Sequence, residues 1–269
     1  MRFVSIASGS SGNCTYIGSE NSHILVDAGI SCKRITDSLK ELDVKPQELN
    51  GIFITHEHSD HIQGVRVMAK KYGIPIYGTK NTLQKIREYD KKKEIDEALY
   101  CPLQPDILVQ VGDLEVNPFS SSHDAVDPVV YRIESGTGEN KKAVAVVTDL
   151  GVYSQYTINH LIGLDAILLE ANHDLKMLET GPYPYYLKRR IMGNYGHLSN
   201  EASGQLLNEL LHDGMKSIVL GHLSKENNYE ALAYETVCLE VTMSEKPYKA
   251  ADFPISVAKR DTMSDIIYL

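Results

Sequence analysis

The apolar run GIFIT at positions 51–55 breaks directly into HEHSDH, so three histidines, a glutamate and an aspartate fall between His56 and His61. No other feature constrains the fold as tightly. Short runs of Val, Ile, Phe and Thr bounded by Gly mark a buried strand. Groups that compete this strongly with water are seldom crowded at a strand end without an ion to hold. His56 and His58 are two apart, which puts both side chains on one side of an extended segment. Asp60 and His61 sit where the chain turns into a helix and face a neighbouring point. Two ligand pairs aimed at adjacent points imply two metal ions, and imidazole with carboxylate suits zinc, manganese or iron better than magnesium or calcium.

The same arrangement of a strand with a polar residue at its end recurs along the chain. HILVDAG closes on Asp27, the run before SSSHDAVDP leads to His123, KKAVAVVTDLG ends at Asp149, and SIVLGHLS carries His222. Polar side chains at the ends of buried strands, converging on one edge, are how α/β folds build sites. Further strands are expected at RFVSIA, CTYIG, IPIYG and VVYRIES, with DAILLEANH buried and Asp106–Ser122 forming a hairpin about VGD. Apolar spacing predicts helices over 32–44, 61–74 and 201–214, and a polar helical region over 81–99. Helices and strands alternate, yet hairpins occur too, so a layered α/β sandwich fits better than a purely parallel sheet. One domain over 1–269 is expected, with SIVLGHLS as its last core strand.

Composition narrows the partners. No run approaches the roughly 20 apolar residues of a membrane span, and MRFVSIASGSSGN lacks the features of a secretory signal. Four scattered cysteines without a CxxC pair argue against a disulfide framework, and a cytoplasmic location is expected. A formal net charge of −9 means that a polyanionic substrate must be met by metal ions or a local basic cluster.

HxHxDH with Asp27, His123, Asp149 and His222 resembles the metallo-β-lactamase superfamily, an αββα sandwich of two mixed sheets flanked by helices. The resemblance implies one metal at His56, His58 and His123, and another at Asp60, His61 and His222. Asp149 would bridge them, and Asp27 would orient the histidine loop from behind. LLEANHD and GHLSNEASGQLL resemble tRNase Z-type phosphodiesterases, which implies that Glu170 orients His197 and that His197 protonates the leaving oxygen. SGSSGNCTYI, HDAVDP, EANHD, GPYPYYLKRRI, GHLSNEA and LGHLSKENN together resemble the YycJ (WalJ)-like branch of the superfamily.

That branch implies a DNA 5′-exonuclease using a metal-bound hydroxide, with Asp60, His197 and Glu170 as its catalytic set and zinc or manganese as its two ions. Lys188, Arg189 and Arg190 are expected to meet phosphates, and Ser10 and Asn13 to offer hydrogen bonds to a terminal one. The rival readings are a glyoxalase-type thioester or lactone hydrolase and a metal-stabilised interaction module without activity. Oligomeric state is left open, as are the roles of Asp124, Asp127, Asn172, His173, Asn227 and Asn228.

Overall fold

A computed structural model describes residues 1–269. The first half of the chain builds one sheet from β1 (Arg2–Ala7), β2 (Cys14–Gly18), β3 (His23–Val26), β4 (Leu49–Phe53), β5 (Ile76–Thr79) and β6 (Tyr100–Leu103). The second sheet comprises β7 (Val109–Val111), β8 (Leu114–Ser120), β9 (Val129–Ser135), β10 (Lys142–Val147), β11 (Ala166–Glu170), β12 (Ser217–Gly221) and β13 (Ile255–Val257). The chain then returns, and β14 (Ile267–Tyr268) pairs antiparallel with β1, so each sheet has seven strands. Both sheets are mixed: β3 to β6 run parallel in one, β10 to β13 in the other, and antiparallel strands complete each.

Side-chain alternation stacks the layers. Ile24 and Val26 of β3 point into the same apolar cluster as Val144 and Val146 of β10, which is the core between the sheets. Leu25 faces the other way, under α1 (Cys32–Glu41), and Ala143, Ala145 and Val147 likewise face the outer helices of the second sheet. The outer layer of the first sheet also includes α2 (Ser59–Ile62), α3 (Val65–Tyr72) and α4 (Lys80–Tyr89). The second is flanked by α5 (Gln155–Leu161), α6 (Leu175–Thr180), α7 (Tyr185–Ile191), α8 (Asn200–Leu210) and α9 (Glu230–Met243). Three apolar cores separated by two sheets define the αββα sandwich.

The elements depart from the sequence reading in three places. The helix expected over 61–74 is two, because the chain turns at Gly64, where a Cβ would stand 2.3 Å from the Ile30 carbonyl oxygen. The helical region expected over 81–99 stops at Tyr89, and the Asp90 carboxylate instead takes the Ile95 N–H at 2.9 Å. β12 is the last core strand, as expected, but beyond it the chain adds an unanticipated helix, α9, which packs on α8, and an edge strand, β13, which pairs with β12 in parallel.

Candidate metal centre

The parallel strands place their C-terminal ends side by side, and the site residues follow at once. Asp27 comes directly after β3, His56 after β4, His123 after β8, Asp149 after β10 and His222 after β12, while Glu170 ends β11. Asp27, Asp149 and His222 adopt left-handed backbone, with φ of 61°, 60° and 53°. Non-glycine residues seldom take that conformation, and it clusters at functional sites where surrounding structure enforces it. Here it turns three side chains inward at the point where the strands stop.

The histidine loop is held from below by the DAG turn after β3. Ala28 N–H donates to the His61 carbonyl at 2.9 Å, and Asn13 N–H to the Asp60 carbonyl at 2.8 Å. Gly29 lies so close that an added Cβ would fall 1.6 Å from the Asp60 oxygen. The Asp27 carboxylate receives Thr55 N–H and the Thr55 hydroxyl, each at 2.9 Å, and His61 Nδ1–H at 2.7 Å. Asp27 is 1% exposed and His61 is fully buried, so this pairing fixes the orientation of the ring.

Side-chain hydrogen bonds also settle which imidazole nitrogens are free. A neutral imidazole carries one donor and one acceptor nitrogen. His123 Nδ1 donates to the Gly196 carbonyl at 3.0 Å, and His222 Nδ1 to Asn13 Oδ1 at 3.1 Å. His56 Nδ1 donates to Thr55 Oγ1, whose own proton goes to Asp27. In all three the Nε2 lone pair is left to face inward, the arrangement in which metal-ligating histidines are oriented by partners behind them.

Those inward atoms gather tightly. The ligand atoms of His56, His58 and His123 lie within 4.8 Å of one another, as do those of Asp60, His61 and His222, and of His56, His61 and Asp149. Asp149 Oδ1 is 3.3 Å from His222 Nε2 and 3.7 Å from His123 Nε2, and its Oδ2 is 3.2 Å from His61 Nε2. It therefore lies between the two triads. Two of these atoms, His56 Nε2 and Asp149 Oδ2, are buried without a hydrogen-bond partner. A buried unsatisfied polar atom calls for an explanation, and a divalent cation satisfies both at once.

Electrostatics agree with cation binding. Burial, reinforced by the neighbouring His61, holds His56 well below the ordinary imidazole pKa, and burial likewise lowers His58 and His222. Burial thus favours the neutral imidazole, the form that ligates a metal. Burial opposes charge on Asp149, yet His222 and His61 outweigh it and hold the carboxyl well below its usual range. On His61 burial is overcome by Asp27 and Asp149, which raise its pKa. An ion at Nε2 would supply the positive charge that these carboxylates otherwise draw from a proton.

Beside the triads lies a second pair. Glu170 is fully buried and accepts Leu150 N–H at 2.9 Å, Leu198 N–H at 3.3 Å and His197 Nδ1–H at 2.7 Å. His197 Nδ1 is also 3.6 Å from Asp149 Oδ1. Burial depresses the His197 pKa, but Glu170's charge and hydrogen bond, with Asp149 and Asp124, more than compensate and push it up to about 9.

The remaining sequence candidates are distributed differently. Asn13 is buried, where Oδ1 takes Gly9 N–H and His222 Nδ1–H while Nδ2 lies 3.1 Å from His61 Nε2 and 3.4 Å from Asp60 Oδ2. Ser10 is exposed at the mouth of the site, beside His58 and Asp60. Lys188, Arg189 and Arg190 lie in α7, and three consecutive helical residues cannot share a face. Lys188 Nζ donates to the Glu179 carbonyl, Arg189 stands over the Tyr185 ring, and Arg190 pairs with Asp124.

Several residues whose roles were open, or that sequence reasoning missed, now have contacts. Asp124 Oδ1 is 3.3 Å from His123 Nε2, linking Arg190 to the centre. Asn172 Nδ2 holds the His222 carbonyl at 2.9 Å, and Asn228 and Asn200 exchange amide hydrogen bonds beneath α8. Asp127 accepts from Thr79 and Asn81 on the far side of the histidine loop. Thr55, Gly29 and the brace role of Asn13 are new; the DAG turn against HxHxDH was the signal available for Gly29.

Two mixed sheets with this His/Asp cluster at one edge define a metallo-β-lactamase fold, and a profile of the beta-lactamase superfamily domain matches residues 22–222. The chain belongs to that superfamily. It is 38% identical over 261 residues to Exodeoxyribonuclease WalJ of Streptococcus pneumoniae serotype 2, a match spanning 97% of this chain and 95% of the relative. It is 35% identical over 237 residues to Exodeoxyribonuclease YycJ of Bacillus anthracis, spanning 88% of each. The fold is shared with the metallo-beta-lactamase fold protein YhfI from Bacillus subtilis, at a TM-score of 0.67 and 18% identity over 98% of this chain and 99% of that one. No helix is long and apolar enough to cross a membrane.

Proposed function

We propose that the chain is a metal-dependent exonuclease that hydrolyses DNA from the 5′ end, in the cytoplasm. The observation that carries the phosphodiesterase reading is the buried Glu170–His197 pair set against Asp149. A nucleotide leaves as an alkoxide, a poor leaving group, and needs a proton donor at that oxygen. A thioester does not. The names of the similar proteins direct the reading to DNA.

In this account His56, His58 and His123 would hold one divalent ion and Asp60, His61 and His222 a second, with the Asp149 carboxylate between the two triads available to either. Zinc and manganese suit the donor set. Ions bound there supply Lewis acidity at a phosphoryl oxygen and a nucleophilic water at neutral pH. Asp27 and Thr55 keep the His61 ring aimed, and Asn13 keeps His222 and Asp60 in place. Glu170 fixes the proton on His197 Nδ1, so that Nε2 faces the leaving oxygen as donor. Ser10 lies where a terminal phosphate would enter, and Arg190 stands behind Asp124 at the opposite rim.

The test is substrate competition between chemistries. Protein loaded with manganese or zinc is offered a single-stranded oligonucleotide and, separately, a glutathione thioester. Digestion of the DNA without thioester turnover is the expected outcome. Thioester turnover that survives His197→Ala, with intact DNA, would establish the rival hydrolase instead.

A further inference from the structure

Charge is unevenly distributed in this molecule. Residues 65–95, from α3 through β5 and α4 to the turn beyond, contain nine Lys and Arg against three Asp and Glu, a surplus of six in a chain of net charge −9. Part of that surplus is neutralised locally: Arg66 and Lys70 both hold Glu94, and Lys85 holds Glu88. Lys91, Lys92 and Lys93 are exposed, and none of them forms an ion pair.

This basic unit walls an open groove of about 580 Å³ that starts at the candidate metal centre. Ser10, His58 and Asp60 form one end, and Ile62, Val65, Ile86 and Ile95 give it an apolar lining. Tyr89 lies on the same wall with 61% of its surface in water, and the three lysines follow directly after Tyr89 and Asp90. Glu57, Asp60, Asp90 and the Glu94-paired Arg66 are the groove's charged lining residues, so the unpaired cations lie beyond its edge, on the turn after Asp90. An apolar lining and an exposed aromatic ring, with free cations next along the chain, suit unstacked bases joined by phosphates. A duplex, whose bases are already stacked, offers that lining nothing. The groove falls in the size range that holds one or two nucleotides rather than an extended strand.

We infer that the groove between α2–α3 and α4 carries the single strand of DNA adjoining the scissile phosphate, with Tyr89 stacking on a base and the Lys91–Lys93 turn meeting phosphates. The inference rests on the nuclease reading above and assigns the strand's path, replacing the Lys188–Arg190 triplet that the helix disperses.

The test uses the metal-loaded full chain, with Tyr89→Ala and the triple variant Lys91→Gln, Lys92→Gln, Lys93→Gln. Affinity for a short 5′-phosphorylated single-stranded oligonucleotide is measured by fluorescence anisotropy across a salt series. Turnover of bis(p-nitrophenyl) phosphate, which requires only the metal centre, is measured in parallel. Each lysine that meets a phosphate contributes about 0.7 to the slope of log affinity against log salt, so the triple variant should lose about 2. Tyr89→Ala should weaken binding by about five- to a hundredfold. Turnover of the small diester should stay at the wild-type value in both.

Unchanged affinity and slope in both variants, while wild type still digests DNA, would overturn the groove and leave the nuclease standing. An equal loss on the small diester would also overturn it, since these residues would then support the metal centre. Wild type that neither binds nor digests DNA would remove the nuclease reading itself.

Discussion

Replacing Glu170 by Gln removes one negative charge from a fully buried position and almost no volume. Glu170 now accepts three hydrogen bonds, from Leu150 N–H, Leu198 N–H and His197 Nδ1–H. Glutamine has a single acceptor oxygen. If that oxygen keeps the two backbone groups, its NH₂ faces His197 Nδ1 and reverses the ring's tautomer. The His197 pKa, pushed up to about 9 by Glu170 against the effect of burial, should then fall back towards the ordinary histidine range. A change of that size corresponds to about 3 kcal/mol in favour of the protonated ring. Loss of a positioned general acid typically costs about 10²–10⁴-fold in rate. The assay compares two leaving groups. On DNA, whose leaving group needs a proton, Glu170→Gln and His197→Ala should both fall by that factor. On bis(p-nitrophenyl) phosphate, whose phenolate leaves unaided, they should fall by no more than a few-fold. Equal losses on the two substrates would refute the acid role and make the pair a structural support of Asp149.

Other perturbations have equally definite outcomes. In metal-free protein the raised His197 pKa contributes stability that is full below the unfolded value and lost as pH rises through the folded one. Wild type should therefore lose up to about 3 kcal/mol relative to His197→Gln between pH ~6 and pH ~10, read by urea unfolding. Asp27→Asn tolerates the left-handed backbone but weakens the brace on His61, and metal affinity measured by calorimetry should drop by about 10–100-fold with the fold intact by circular dichroism. Gly29→Ala puts a methyl 1.6 Å from the Asp60 carbonyl, so the histidine loop must shift and thermal stability and metal binding should fall together. Wild-type affinity in the first of these variants, or unchanged stability in the second, would contradict the described support of the loop.

The residues of the candidate metal centre were legible as a group because five of the eight sit in two motifs, HILVDAG and THEHSDH, whose strand ends are unmistakable. His123, Asp149 and His222 could be matched because each follows an apolar run that the fold buries. Glu170 and His197 were readable only through the resemblance of LLEANHD and GHLSNEASGQLL to tRNase Z-type phosphodiesterases. What stayed hidden depends on three-dimensional packing. α9, with the sequence EALAYETVCLEVTM, scatters apolar residues around its whole circumference, so no 3.6-residue stripe marks it. β13 and β14 are edge strands of three and two residues, too short for alternation to show. The Lys188–Arg190 triplet looked like a cluster in one dimension, and α7 turns its members apart. The contacts of the Asn13 side chain with His222, His61 and Asp60 were likewise invisible in the Gly/Ser-rich turn that carries it. The positive charge of residues 65–95 is masked by the acidic remainder of a chain whose net charge is −9.

The most direct test of the account is digestion of 5′-labelled and 3′-labelled single-stranded DNA by metal-loaded wild type and by His61→Ala. Early release of labelled mononucleotide from the 5′-labelled strand only, dependent on added manganese or zinc and absent from the variant, is the predicted result. Undiminished digestion by His61→Ala, or intact DNA with a metal-loaded wild type, would contradict it.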